Sequence, residues 1–124
     1  LRIRNGLLDL AEAQVGKPYI YGSAGKRGFD CSGLTQYLYR SVEYSIQRTV
    51  AGQLENGIII AKEDLQCGDL VFFQNTYKSG ISHVGIYVGN GQFIHSPSSG
   101  KVVSYADLNS TYYTNHYYGA RRIG

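Results

Sequence analysis

The sequence predicts an α+β domain in which N-terminal helices pack on a mainly antiparallel β-sheet. Three observations carry that reading. Helical periodicity fills the first third of the chain, and runs of β-branched and aromatic residues fill the rest, so helices and strands are segregated rather than alternating. The segment SHVGIYVGNGQFIHS reads as a β-hairpin, with Asn90-Gly91 at the turn and apolar residues on both arms. The 124 residues are enough to bury one core without disulfides or a structural metal.

Taken in order, NGLLDLAEAQVG places Leu7, Leu8, Leu10, Ala11 and Val15 at helical spacing, with Asn5 as N-cap and Gly16 as stop. KPYIYGSAGKRG, with an early proline and three glycines, reads as an extended piece leading into a loop. A second helix is expected from about Asp30 to about Val42, with Leu34, Leu38 and Val42 on one face. A polar stretch containing Arg48 and Gln53 follows. Strands are then expected in GDLVFFQN, on both arms of the hairpin, and in KVVSYADL and YYGARRI. The whole chain, 1–124, reads as one domain. It begins at Leu1 rather than Met and is expected to be excised from a longer secreted protein.

Composition excludes several classes. A net charge of +3 is mild, and the basic residues are scattered rather than grouped in a stripe, so nucleic acid is not an expected partner. No run approaches the length of a membrane span. Cys31 and Cys67 are too few for a disulfide scaffold and are expected as free thiols, Cys67 as a small buried residue.

The stretch GFDCSGL places Cys31 at the start of the second helix. Unpaired backbone N–H groups and the positive end of the helix dipole favour a thiolate there, with a thiol pKa lowered below its usual value. Gly33, without a side chain, lets that helix turn come close to a facing strand. A cysteine nucleophile needs a base and a third polar group that orients the base. His83 and His95, on the two arms of the hairpin, are the candidates; His116 has no such setting and reads as a surface residue. Hairpin geometry decides whether they can meet. A two-residue Asn90-Gly91 loop would place the histidines on opposite faces. A three-residue Gly89-Asn90-Gly91 loop pairs Val88 with Gln92, Ile86 with Ile94 and Gly85 with His95. The histidines then become diagonal neighbours on one face, with open space over Gly85 and Val84, Ile86, Val88 and Ile94 directed at the core. The second register is the one expected.

The blocks GKPYIYGS, FDCSGL, CGDLVFF, SHVGIYVGNGQFIHS and ARRI, in that order, resemble the NlpC family of bacterial cell-wall cysteine peptidases over about residues 7 to 123. The resemblance implies a papain-like fold, with Cys31 as nucleophile, His83 as general base and His95 as third member. It implies hydrolysis of peptidoglycan stem peptides through a thioester, commonly between the γ-carboxyl of D-glutamate and diaminopimelate or lysine. It also implies a secreted or envelope-associated protein, acting as a monomer without cofactor or metal. Tyr19 matches the family tyrosine beside the nucleophile; its neighbour Tyr21 reads as a packed aromatic. Asp30 is either an N-cap or, with Ser32, part of the subsite for the stem peptide, where a carboxylate holds a free L-alanine amine. The chain departs from the family at Gly22-Ser23, at IQRT and at Cys67, which bears on the loops around the cleft. Three other readings use the same residues: a non-catalytic peptide-binding module, a zinc site on Cys31, His83 and His95, and an acyl or amide transferase. The zinc site lacks a close pair of ligands and a fourth candidate.

Overall fold

The computed structural model describes residues 2–25 and 27–124. Helix α1 (Arg2–Ala13) leads into a small two-stranded ribbon, β1 (Ala24–Gly25) and β2 (Gly28–Phe29), and then into α2 (Cys31–Ser41). A short helix α3 (Val50–Gln53) and strand β3 (Ile58–Ile60) precede a 3₁₀ turn at Lys62–Asp64. Four strands follow, β4 (Leu70–Gln74), β5 (Ile81–Gly89), β6 (Gln92–His95) and β7 (Ser104–Asp107), then α4 (Thr111–His116) and β8 (Tyr117–Arg122). The sheet runs β3-β8-β4-β5-β6-β7, and every neighbouring pair is antiparallel. The expected α+β architecture is therefore the observed one.

Helix α1 already runs through Asn5, so that residue is not its N-cap, and the helix ends three residues before Gly16. Gly16 sits beyond the last turn at φ +98°, a conformation that suits glycine at a helix stop. The second helix matches its expected bounds: Asp30 caps its start and Val42 its end. The stretch expected only as polar holds α3 and β3. Its apolar signal is three isoleucines on an edge strand, of which Ile58 and Ile59 face solvent.

LVFF reads as a continuous apolar run because both faces of the sheet are covered. Side chains alternate across a strand, so Leu70 and Phe72 enter one core and Val71 and Phe73 the other. The first core joins Phe72, Val84, Ile86 and Ile94 to Leu7 and Ala11 of α1 and Leu34 and Leu38 of α2. The second, on the α4 side, holds Phe73, Phe93, Leu108 and Ala120, with Tyr113 packed against it. Each fully buried Leu or Phe contributes about 1.5–3 kcal/mol. The helix layer and the sheet are thus held together along α2, from Cys31 to Tyr39.

The hairpin realises the expected pairing by a different turn. Ile86 pairs with Ile94 and Tyr87 with Phe93, but Gly89, not Val88, faces Gln92. Val88 is left out as a bulge, and the loop shortens to Asn90-Gly91, both at positive φ as such a tight turn requires. The bulge adds the residue that the three-residue loop was invoked to supply. The register toward His95 is consequently the expected one.

Candidate functional site

Cys31 is the first residue of α2, and the helix start is fixed by Asp30. One Asp30 oxygen, Oδ1, accepts the Gly33 N–H at 2.6 Å, a capping bond. The other, Oδ2, accepts the Gly22 N–H at 3.1 Å and Nη2 of Arg48 at 2.9 Å. Arg48 also donates from Nη1 to Ser32 Oγ at 2.9 Å. Asp30, Ser32 and Arg48 therefore form one network beside the thiol, and the N-cap role of Asp30 is realised. Gly33 faces a loop carbonyl rather than a strand: a Cβ there would lie 2.1 Å from the Ser23 oxygen.

Sequence reasoning did not select Arg48. It is placed by Gln53, which is fully buried and ties the polar stretch to α2. Gln53 donates to the carbonyls of Ser32 and Gln47 at 2.9 Å each and accepts from Thr35 at 2.6 Å. Thr49 caps α3 next to Arg48, accepting the Gly52 N–H. An Arg-Thr pair opening a short helix was the available signal.

His83 and His95 lie on the same face of the sheet, with His83 Nε2 and His95 Nδ1 2.8 Å apart. Both rings are buried. Phe73 packs at 5.9 Å from the His83 ring, and Phe93 and Tyr113 pack edge-on at 4.8 and 5.6 Å from the His95 ring. The space over Gly85 is not open, as expected from sequence, but filled by Phe93: a Cβ on Gly85 would lie 2.6 Å from the Phe93 ring. The phenylalanine steadies the His95 ring, and glycine is what admits it.

Burial holds both imidazoles neutral. His83 is pushed from 6.5 down to about 3, with the neighbouring His95 adding to the effect, and His95 down to about 4. The thiol corrects the expectation from helix-start chemistry. The N–H groups of Val84, Ser32 and Cys31 do favour thiolate, but burial and the Asp30 carboxylate outweigh them and push Cys31 up to about 11. The contact with the Val84 N–H puts the sulfur one residue along β5 from His83. The resting groups are a thiol and a neutral imidazole.

Two depressions open beside Tyr77, which lines both. The first, of about 420 Å³, holds Tyr19, Asp30, Cys31, Ser32, Arg48 and Lys78. The second, of about 300 Å³, holds His83 and aromatic residues. Tyr19 stands near Cys31 and Asp30, and burial followed by these two groups raises its hydroxyl pKa. Tyr21 is exposed to 89%, not packed. His116 is half-buried rather than a surface residue: its ring bonds the Gln74 carbonyl at 2.9 Å and stacks on Tyr112. Cys67 is free and only partly buried, in the loop before β4. Among the described residues no helix is long and apolar enough to cross a membrane.

The family model of the NlpC/P60 family matches residues 16–122. The chain is 44% identical over 114 residues to a murein DD-endopeptidase, MepH, of Escherichia coli (strain K12), covering 89% of this chain and 42% of that protein. It is 40% identical over 117 residues to a gamma-D-glutamyl-L-lysine dipeptidyl-peptidase of Bacillus cereus, covering 94% of this chain and 35% of that protein. The chain thus spans less than half the length of either relative. An NlpC/P60 family protein from Bacillus cereus superposes with a TM-score of 0.90 at 39% identity, covering 96% of this chain and 39% of that one. The NlpC/p60 domain of the peptidoglycan hydrolase SagA superposes with a TM-score of 0.84 at 30% identity, covering 97% and 98%. The papain-like fold expected from the resemblance is the fold of these domains.

Proposed function

Since the chain belongs to the NlpC/P60 family, we propose that it is a cysteine endopeptidase that cuts peptidoglycan stem peptides through Cys31, His83 and His95. The observation that carries this reading is the 2.8 Å contact between His83 Nε2 and His95 Nδ1, beside a helix-initiating cysteine. If His95 Nδ1 accepts from His83 Nε2–H, the lone pair of His83 sits on Nδ1, free for the thiol proton. His95 is then the orienting member, as the carboxylate or amide is in other triads.

Both groups begin neutral, so attack and proton transfer are coupled. The Cys31 sulfur bonds the scissile carbonyl carbon as His83 Nδ1 takes its proton. The tetrahedral oxyanion is met by the backbone N–H of the first helical turn and by the Tyr19 hydroxyl. His83 returns the proton to the departing amine, the C–N bond breaks, and a thioester remains. Water, deprotonated by His83, then attacks the thioester; the acid leaves and the thiol is restored. The thiol, both imidazoles and the neighbouring clefts all come from one chain, so a monomer suffices.

The acyl part of the substrate lies on the Cys31 side, against Asp30, Ser32 and Arg48, where the carboxylate meets a free L-alanine amine. The bond cut is the one between the D-glutamate γ-carboxyl and diaminopimelate or lysine, and the domain acts in the cell wall or envelope. Two relatives of similar identity are named for different bonds. Mass spectrometry of digested muropeptides separates these. Products ending in γ-D-glutamate support the proposal, whereas cleavage confined to D,D-cross-links overturns the bond assignment. Cys31→Ala should abolish turnover and Cys67→Ala should retain it.

A further inference from the structure

A substrate cut by this site has to occupy both depressions. Cys31 lines one and His83 the other. The sulfur attacks the scissile carbonyl and His83 hands its proton to the departing amine, so the acyl residue lies on the thiol side and the amine residue on the histidine side. Among the described residues Tyr77 alone lines both depressions. Burial, followed by Cys31 and Asp30, raises its hydroxyl pKa, which sets the side chain near the thiol. The side chain is nonetheless 68% exposed, so it has surface left for a ligand to cover.

The loop that carries Tyr77, between β4 and β5, is closed on itself. Asn75 donates its N–H to the Gly80 carbonyl and accepts the Gly80 N–H on Oδ1, each at 2.8 Å. The Thr76 N–H reaches Ser82 Oγ at 3.0 Å, and Ser82 is fully buried on β5, next to His83. These bonds fix where the Tyr77 backbone stands relative to the base, and the ring takes no part in them. Lys78 Nζ lies 5.8 Å from the ring centroid and so stays beside the ring. Resting on the peptidase reading above, we propose that Tyr77 is a substrate-contacting residue whose ring lies along the scissile amide and touches the residues on both sides of it, holding that bond between Cys31 Sγ and His83. The contact asked of the ring is apolar, against the peptide backbone and the side-chain methylenes that flank the bond. Its charge and its hydroxyl do not enter. A reacting bond displaced by about 1 Å reacts up to about 10²-fold more slowly, so a wall at this point acts on the rate.

The experiment compares kcat/KM of the wild type, Tyr77→Phe and Tyr77→Ala on two substrates that form the same thioester. One is the tripeptide L-Ala-γ-D-Glu linked to L-lysine or to meso-diaminopimelate, whichever the wild type cuts faster. The other is the γ-methyl ester of L-Ala-D-Glu, which has no residue on the His83 side. Tyr77→Ala should lower the tripeptide value by a factor between about 10 and 10², and the ester value by a clearly smaller factor. Tyr77→Phe should stay near the wild type on both. Thermal unfolding should be unchanged in both variants, because the ring is exposed and lies outside the loop's own bonds. A ring that only shaped Cys31 and His83 would slow both substrates alike, so equal losses overturn the inference, as does an unchanged tripeptide value. Losses in Tyr77→Phe as large as in Tyr77→Ala would assign the effect to the hydroxyl and overturn the ring contact. If the wild type leaves both tripeptides intact, the peptidase reading fails for this bond, and the contact is judged by binding. The lysine tripeptide should then bind the Cys31→Ala protein more tightly than the Cys31→Ala, Tyr77→Ala double variant. Equal affinities overturn the inference there.

Discussion

Replacing Gly33 by alanine tests whether the close approach of α2 to the 22–25 loop positions the nucleophile. The new Cβ would lie 2.1 Å from the Ser23 carbonyl oxygen and 2.8 Å from Asp30 Oδ1. Neither neighbour yields easily, because Ser23 O accepts the Asp30 N–H at 2.9 Å and Oδ1 holds the cap. Overpacking of this kind costs about 1–3 kcal/mol, and a lost cap about 1 kcal/mol. The better helix propensity of alanine returns at most about 1 kcal/mol. A net loss of about 2 kcal/mol remains. For 124 residues the unfolding entropy is about 0.26 kcal/mol/K, so Tm should fall by about 8 °C. The same displacement moves Cys31, two residues away, and misplacement by about 1 Å costs up to about 10²-fold in kcat. Gly25→Ala is the control, since the nearest atom to its Cβ is 3.9 Å away. Thermal unfolding by circular dichroism and kcat/KM on a stem tripeptide, assayed well below both transitions, read the two effects separately. Wild-type melting and full turnover in Gly33→Ala would refute the claim that this contact positions the thiol.

Four further outcomes follow from the site. His83 and His95 bind protons less readily folded than unfolded, so their contribution to stability is complete above pH 6.5 and is lost as the pH falls toward about 3 for His83 and about 4 for His95. The loss runs at about 1.4 kcal/mol per pH unit for each group. Urea unfolding between pH 7.5 and 4.5 should show a shallower acid loss in His95→Asn, and identical slopes would count against the burial argument. The Cys31 thiol, raised to about 11, should alkylate with iodoacetamide at a rate that keeps climbing past pH 9, whereas a plateau near neutrality would mean a preformed thiolate. Gly85→Ala would drive Phe93 off the His95 ring and should lower kcat more than KM, with about 1–3 kcal/mol of stability lost; unchanged kinetics would free His95 from that support. Tyr19→Phe should cost up to about 10² in kcat, and Tyr21→Phe, at an exposed position, little.

Local rules made much of this protein legible from sequence alone. Asp30, Cys31 and Gly33 announce a helix start because capping and a missing Cβ are properties of a few consecutive residues. The apolar alternation of Val84, Ile86 and Ile94 fixes which face of the hairpin packs against the helices, and hence that His83 and His95 share the other. That conclusion survived a wrong turn, because the bulge at Val88 and a longer loop shift the register by the same one residue. The resemblance to the NlpC family was legible for a different reason: its motif blocks keep their order along the chain.

Tertiary structure decided what depends on residues distant in sequence. The ion pair of Arg48 with Asp30 spans 18 positions and exists because buried Gln53 ties the polar stretch to α2. The filling of the space over Gly85 needed the rotamer of Phe93 across the hairpin. The charge state of Cys31 reversed the local expectation, since desolvation is set by everything packed around the sulfur, whereas the helix start contributes only a few N–H groups. The uncharged cleft beside His83 gathers side chains from positions 76 to 113, on three separate segments, and no spacing in the sequence brings them together. Short-range periodicity specifies which elements form; the surroundings of a reacting atom are specified only once those elements have packed.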